Sequence, residues 1–324
     1  MQLTTELWIK GGLSLLAVFL IIWRHKMPGK LKNDQAGQIL GVMAVVAVLA
    51  YTNFGHFHGS SMVHHWEQFH YFLGSKYFPE VGYDGIYVAS LAAERELDLG
   101  RGPQPHMRDL RTNEVVRVAS LVNHMNEVRN RFSDERWQTF RTDTRYFLEA
   151  SRYDYIARIR KDHGYNPTPT WTFTARIFSR WPAASTASLK ALAWLDPILL
   201  CGMFVMIFRT FGTRIGCLAV IVFGLGYPWR FDWVGGAFLR QDWMAAVGVA
   251  ICLLKRKSFG LAGGLIAYAT MVRVFPGGFL VGPAVVFVRH LADGRPTAWF
   301  RRLAVGFGVG VVLCLAAGSL TGTG

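Results

Sequence analysis

The residues best suited to chemistry gather in a few short stretches. Trp66-Glu67-Gln68-Phe69-His70-Tyr71-Phe72-Leu73-Gly74-Ser75-Lys76-Tyr77-Phe78 sets an acid, a histidine and a lysine among aromatic rings. Partial desolvation of a carboxylate there favours the neutral acid and raises its pKa. A base raised toward neutrality is suited to taking a proton from a hydroxyl. The plain alternative is that Glu67 is a solvated interfacial residue. Gly235-Gly236-Ala237-Phe238-Leu239-Arg240-Gln241-Asp242-Trp243 puts two charges into an apolar context, where they are costly unless paired or functional. The planar fork of Arg240 suits a phosphate, and an Arg240–Asp242 ion pair is the structural alternative. Arg273 precedes Val274-Phe275-Pro276-Gly277-Gly278 and supplies a further cation.

Two other clusters have mainly structural readings. His56, His58, His64, His65 and His70 are dense enough to suggest haem or metal ligation, but their spacing is irregular. Clustered interfacial histidines more often hydrogen-bond carbonyls or line a polar pocket, and no metal is expected here. Asp162-His163-Gly164-Tyr165-Asn166-Pro167-Thr168-Pro169-Thr170-Trp171 carries two prolines that fix an extended turn. An apolar helix over Trp171–Trp181 follows it. Asp84, Asp154 and Asp162 are fallback carboxylates.

These stretches are positioned by a chain of 324 residues, 52% hydrophobic and 14% aromatic with only 17% charged. A helix crosses the hydrocarbon core with about 20 apolar residues. Apolar runs at roughly 7–24, 37–54, 189–208, 215–232, 234–254, 259–272, 274–289 and 303–320 predict an all-α polytopic transmembrane bundle of about 7–8 spans. The first run lacks the basic start and cleavage site of a signal peptide. Residues 1–54 form two N-terminal spans, 55–188 a large loop with amphipathic helices, and 189–324 a C-terminal bundle.

The net charge of +14 does not indicate nucleic acid, because the basic residues sit at the span connections. Arg24, Lys26, Lys30 and Lys32, then Arg209 and Arg214, then Lys255–Lys257, then Arg289, Arg295, Arg301 and Arg302 fall on one side of an eight-span topology. The positive-inside rule makes that side cytoplasmic and the loop extracytoplasmic, as in a bacterial-type inner membrane with a periplasmic loop. The scheme requires a re-entrant hairpin near 259–289 with Arg273 at its outer end. The alternative is a single kinked span with Arg273 snorkelling. Within the loop, Val115, Val116, Val118, Leu121, Val122 and Met125 follow helical spacing. Cys201, Cys217, Cys252 and Cys314 all lie in apolar runs and read as small buried residues.

The order of the pieces resembles the GT-C superfamily of membrane glycosyltransferases, especially the polyprenol-phosphate-mannose-dependent mannosyltransferases. An acid in an aromatic segment follows an early span, and a long outer loop comes next. Tyr165-x-Pro167-x-Pro169 leads into an apolar helix, Thr170–Pro182. Gly236-x-x-x-x-Gln241 opens a later span, and Ala262-Gly263-Gly264 followed by Arg273-x-x-Pro276 closes the pattern. Glu67 stands where the family usually has Asp, Arg273 where it usually has Lys, and the loop follows the second apolar run instead of the first. The chain ends sooner than such enzymes usually do.

The resemblance implies an inverting single displacement that moves a sugar from a polyprenyl-phosphate donor to an acceptor hydroxyl at the outer face. Glu67 would be the base. Arg240 and Arg273 would hold the phosphate with Lys76 as a further cation, and Gln241 and His70 would line the substrate site. Partners would be membrane lipid and the lipid-linked sugar, with membrane-complex subunits also compatible and no cofactor implied. Two rivals stand beside this reading: a non-catalytic subunit of a larger membrane complex, and a histidine-ligated haem or metal oxidoreductase.

Overall fold

Long apolar runs become helices because a helix satisfies every backbone polar group within its own segment. The computed structural model describes residues 3–26, 33–58, 61–100 and 102–322, and within these all side chains but those at 3, 4, 6, 24, 25, 33 and 34. The basic side chains expected at Arg24, Lys30 and Lys32 lie outside the described residues. The fold is all-α, with one two-stranded hairpin among the described residues.

Three described helices are long and apolar enough to cross a membrane: Thr186–Phe211, Phe275–Ala292 and Ala298–Ser319. A fourth span arises if Thr213–Leu225 and Tyr227–Val234, bent by 68°, count as one. Leu7–Trp23, Gln35–Tyr51 and Phe259–Val272 are shorter apolar helices. By length and composition, fewer segments reach full length than the sequence led us to expect. Breaks inside the apolar runs account for part of the difference. At Gly226 the Trp229 ring folds back so that its Nε1 donates to the Phe223 carbonyl at 2.7 Å, and a Cβ on Gly226 would overlap that ring. Residues 235–241, expected to begin a span, are not helical, and the helix starts only at Asp242. Gly236 has φ +74° there, and a side chain on it would strike the Met62 carbonyl.

The chain divides into two compact units. One comprises Met1–His64, Ala193–Thr270 and Val274–Val311; the other comprises His65–Leu192, Met271–Arg273 and Val312–Gly324. We call them the apolar and the polar unit.

In the apolar unit, Thr213–Leu225 packs on Asn33–Tyr51 and on Leu195–Phe211, which in turn packs on Asp242–Lys255. Leu40, Met43, Ala47, Val220 and Ile221 form one of its cores. Phe259–Val272 and Ala298–Ser319 meet around Ala262, Ile266 and Leu303. The backbones touch there: a Cβ on Gly263 would overlap the Leu303 carbonyl, and one on Gly306 the Gly260 carbonyl. The first of these helices ends at Val272, and the chain resumes as a 3-10 turn at Phe275–Leu280 that runs into Val281–Ala292. Cys217, Cys252 and Cys314 are buried as expected, whereas Cys201 is exposed on the flank of Leu195–Phe211.

The polar unit is built on aromatic packing. Tyr77, Phe132, Trp137 and Phe140 are buried with ring centroids about 5–6 Å apart. Each such ring contributes roughly 1.5–3 kcal/mol through burial. The Asp134–Glu149 helix starts at Ser133, whose Oγ accepts from Arg136 N at 3.2 Å, and its first turn carries Asp134 and Glu135 against the helix dipole. Pro169–Ser179 likewise starts where Thr168 caps Trp171 N at 3.3 Å, with Pro169 in the first turn. The helical expectation for Val115–Val118 is corrected. His106–Asp109 and Glu114–Arg117 pair as antiparallel strands, and helix begins only at Val122 after a 3-10 turn at Val118–Leu121. Adjacent β-branched valines and a turn with Asn113 at φ 61° favour the hairpin over helix.

Candidate functional site

The acidic segment of the polar unit is helical but not uniformly so. His65–Gln68 passes into a π turn at Phe69–Leu73 before α-helix resumes at Gly74–Lys76. A π turn inserts an extra residue and re-aims the side chains that follow, and such turns concentrate at functional sites. Gly74 is required in the stretch because the buried Tyr165 ring lies flat on it, where a Cβ would overlap the ring.

Around this segment the closing motif of the loop comes into contact. Trp66 Nε1 donates to Asp162 Oδ2 at 2.7 Å, across 96 positions of sequence. Gly164 N donates to the Tyr87 hydroxyl at 3.0 Å, which lies 2.8 Å from His70 Nε2. His70 Nδ1 lies 3.0 Å from the Trp66 carbonyl. A carbonyl only accepts, so these partners assign the proton of the neutral ring to Nδ1 and leave Nε2 to accept from Tyr87. Burial, and then the nearby Asp162 charge, push the Tyr87 phenol far above its usual range, which keeps it a donor. His70 is therefore engaged through both ring nitrogens in the joint between the two motifs.

Glu67 sits half-buried beside Tyr155, whose ring meets Trp66 edge-on at 5.6 Å. Burial raises the Tyr155 pKa, opposed by a hydrogen bond from the Trp66 backbone, and Glu67 adds to the rise. Of the fallback carboxylates, Asp162 belongs to this cluster. Asp84 is engaged elsewhere, 3.3 Å from His124 Nε2 and 3.6 Å from Arg131, and Asp154 is exposed beside Arg152.

Lys76 is 2% exposed and pairs with Asp143, itself 1% exposed, at 2.7 Å. Its Nζ also donates to the Pro182 carbonyl. Asp143 further accepts from Tyr77 Oη at 2.7 Å and from Ala184 N at 2.7 Å. The lysine charge is thus already neutralised within the fold. Arg273 clusters with the same unit and is half-buried, and among the described residues its guanidinium has no hydrogen bond or ion pair.

Arg240 and Gln241 belong to the apolar unit, in the non-helical turn before Asp242. Arg240 N and Gln241 N donate to Asp196 at 2.9 and 3.0 Å. Gln241 is buried and reaches the Tyr51 hydroxyl, and Tyr268 Oη donates to Asp242 Oδ2 at 2.7 Å. Asp196, in the first turn of Leu195–Phe211, was not a candidate from the sequence. An acid opening an apolar run is the signal that could have found it. No protein-family model, no curated protein and no solved structure matches this chain.

The remaining histidines make structural contacts. His58 Nε2 lies 2.8 Å from the Gly235 carbonyl, and burial lowers the His58 pKa against that bond. His64 N donates to Gly236 O at 3.0 Å, its ring tilts against His58, and His65 tilts against Tyr146. A buried pair that the sequence did not suggest ties the polar unit together. Arg160 is wholly buried and reaches Glu94, Gln104 Oε1 and both the hydroxyl and carbonyl of Ser90.

Proposed function

We propose that this chain is an integral membrane glycosyltransferase of the GT-C type. It moves a sugar from a polyprenyl-phosphate donor to an acceptor hydroxyl by inverting single displacement. The reading keeps about 7–8 spans, counting the shorter apolar helices, with the polar unit on the extracytoplasmic face of a bacterial-type inner membrane. The observation that carries it is the convergence of Trp66–His70 with Asp162–Gly164. The first carries the acid of the resemblance and the second directly precedes its Tyr165-x-Pro167-x-Pro169 element, and they are joined by the Trp66–Asp162 and His70–Tyr87–Gly164 contacts.

In this mechanism Glu67 takes the proton of the acceptor hydroxyl as its oxygen bonds to the anomeric carbon. The bond from that carbon to the phosphate oxygen breaks, and polyprenyl phosphate leaves with the electron pair. Arg273, in the same unit as Glu67, meets the growing phosphate charge, since cations aimed at a leaving group stabilise the transition state more than the ground state, and Arg240 of the apolar unit is the second cation that the resemblance implies. Gln241 holds the turn that carries Arg240. His70 and Lys76 act as positioning residues: the first fixes the joint behind Glu67, and the second anchors the helix through Asp143. No cofactor enters the scheme.

The test is transfer from a radiolabelled polyprenyl-phosphate sugar by the purified full chain in lipid. Glu67→Gln keeps size and hydrogen bonding but removes the proton acceptor, so turnover should vanish while the thermal melt is unchanged. Full activity in Glu67→Gln with loss in Asp162→Asn would move the base to Asp162. No turnover in the wild type, with co-purifying membrane subunits, would favour the non-catalytic subunit.

A further inference from the structure

The apolar unit holds a cleft that the transfer chemistry does not use. It offers about 200 Å³ between Lys10, Gly11 and Ser14 of the Leu3–Lys26 helix and Leu225, Tyr227 and Arg230 at the bend of the broken helix pair. That is room for a headgroup, not for a whole lipid. Two cations remote in sequence converge on it. Lys10 is buried in an apolar helix, about 10 Å along the axis from Leu3 at 1.5 Å per residue. Arg230 lies 4.2 Å over the Tyr227 ring and 5.5 Å from Trp233, which hold its plane in place. Its Nε is buried and, among the described residues, donates to no acceptor. A buried guanidinium donor facing a cleft beside a second cation calls for an anionic acceptor.

The surroundings specify which kind. Tyr227 and Trp233 are both more than half exposed, as aromatic residues are at the level of lipid headgroups. Leu7 and Leu225 add an apolar wall, and Trp8 on the same helix is 81% exposed. A free anion in water would gain nothing from that wall, whereas an acyl ester would. A zwitterionic headgroup would bring its own ammonium toward Lys10 and Arg230. We propose that this cleft binds the phosphate of a net-anionic membrane phospholipid, with Arg230 and Lys10 as its charge partners and Tyr227 and Trp233 bracketing the headgroup. The site depends on the chain lying in a membrane and not on the transferase reading.

The experiment is native mass spectrometry of the delipidated full chain, titrated with phosphatidylglycerol, phosphatidylcholine or inorganic phosphate. Phosphatidylglycerol should bind at one equivalent, at least about tenfold tighter than phosphatidylcholine, and millimolar phosphate should not displace it. Arg230→Gln and Lys10→Met should each weaken that binding about tenfold, the scale of one charge-assisted contact, with unchanged melting. The variants alter different helices, so if one fails to fold the other carries the test. Wild-type retention in a folded variant, or equal binding of the two lipids, would overturn the proposal. Displacement by micromolar phosphate would reassign the cleft to a free anion and overturn the lipid.

Discussion

The indole N–H of Trp66 donates to the carboxylate of Asp162 at 2.7 Å, and through that bond the first and last chemical motifs of the polar unit share one place. Trp66→Phe removes the donor and little else. A hydrogen bond to a charged acceptor contributes about 1.5–3 kcal/mol when buried and less here, where both partners are half-buried. We expect about 1 kcal/mol of lost stability, read as a lower melting temperature. An unchanged melt would mean that the bond does not hold the two motifs together.

Arg273→Ala should lower kcat/KM for the lipid-linked donor roughly ten- to a hundred-fold, the equivalent of about 1.5–3 kcal/mol for one charge-assisted contact. Arg273→Lys should restore part of it by keeping the charge. Steady-state kinetics at varied donor concentration provide the measurement. Equal loss in both variants would assign Arg273 a packing role instead.

The Lys76–Asp143 pair separates folding from function. Breaking a buried pair by removing one partner costs about 3–5 kcal/mol, because the other charge is left uncompensated. Lys76→Met and Asp143→Leu should each melt far below wild type. The double variant should recover much of the loss, although Tyr77 Oη and Ala184 N would still lack their acceptor. Additive losses would show that the charges act independently.

Acid should unfold the polar unit partly through Asp84. The His124 imidazole 3.3 Å away holds its carboxyl below the usual range, with Arg131 helping against partial burial. A depressed carboxylate pKa stabilises the fold above the unfolded value of about 4 and loses that contribution as pH falls through the folded value. The melting difference between wild type and Asp84→Asn should be constant above about pH 5 and close toward zero well below pH 4.

Topology is testable by single-cysteine labelling from the extracytoplasmic face. Ser133, in the polar unit, should label, and Ser258, beside Lys255–Lys257, should not. The reverse pattern would invert the proposed orientation.

Much of the architecture was legible because it follows from local rules. Apolar runs gave the long helices, Thr168-Pro169 gave a helix start, and Arg273–Pro276 marked a break. Two kinds of feature were not legible. Val115–Val118 fits both periods over so short a run, and the choice fell to β-branching and the turn at Asn113. The contacts Lys76–Asp143, Arg160–Glu94 and Asp196 with the Arg240–Gln241 backbone join residues far apart in sequence, and spacing carries no trace of them. The chemical candidates divide in the same way. Glu67 and Arg273 are visible as residue types in unusual surroundings. That His70 is committed to Tyr87 and Trp66 emerges only once the chain is folded.

The glycine seam between Phe259–Val272 and Ala298–Ser319 is closed where the two backbones touch. With the Gly260 and Leu303 carbonyls lying where side chains would otherwise be, the two helices are in backbone contact at these positions and leave no room there for an acyl or isoprenoid chain. Parting them would strip backbone contacts along both helices at once. On the proposed transferase reading, a lipid-linked donor would come in by another flank, and valine at 263 or 306 would wedge the two helices apart.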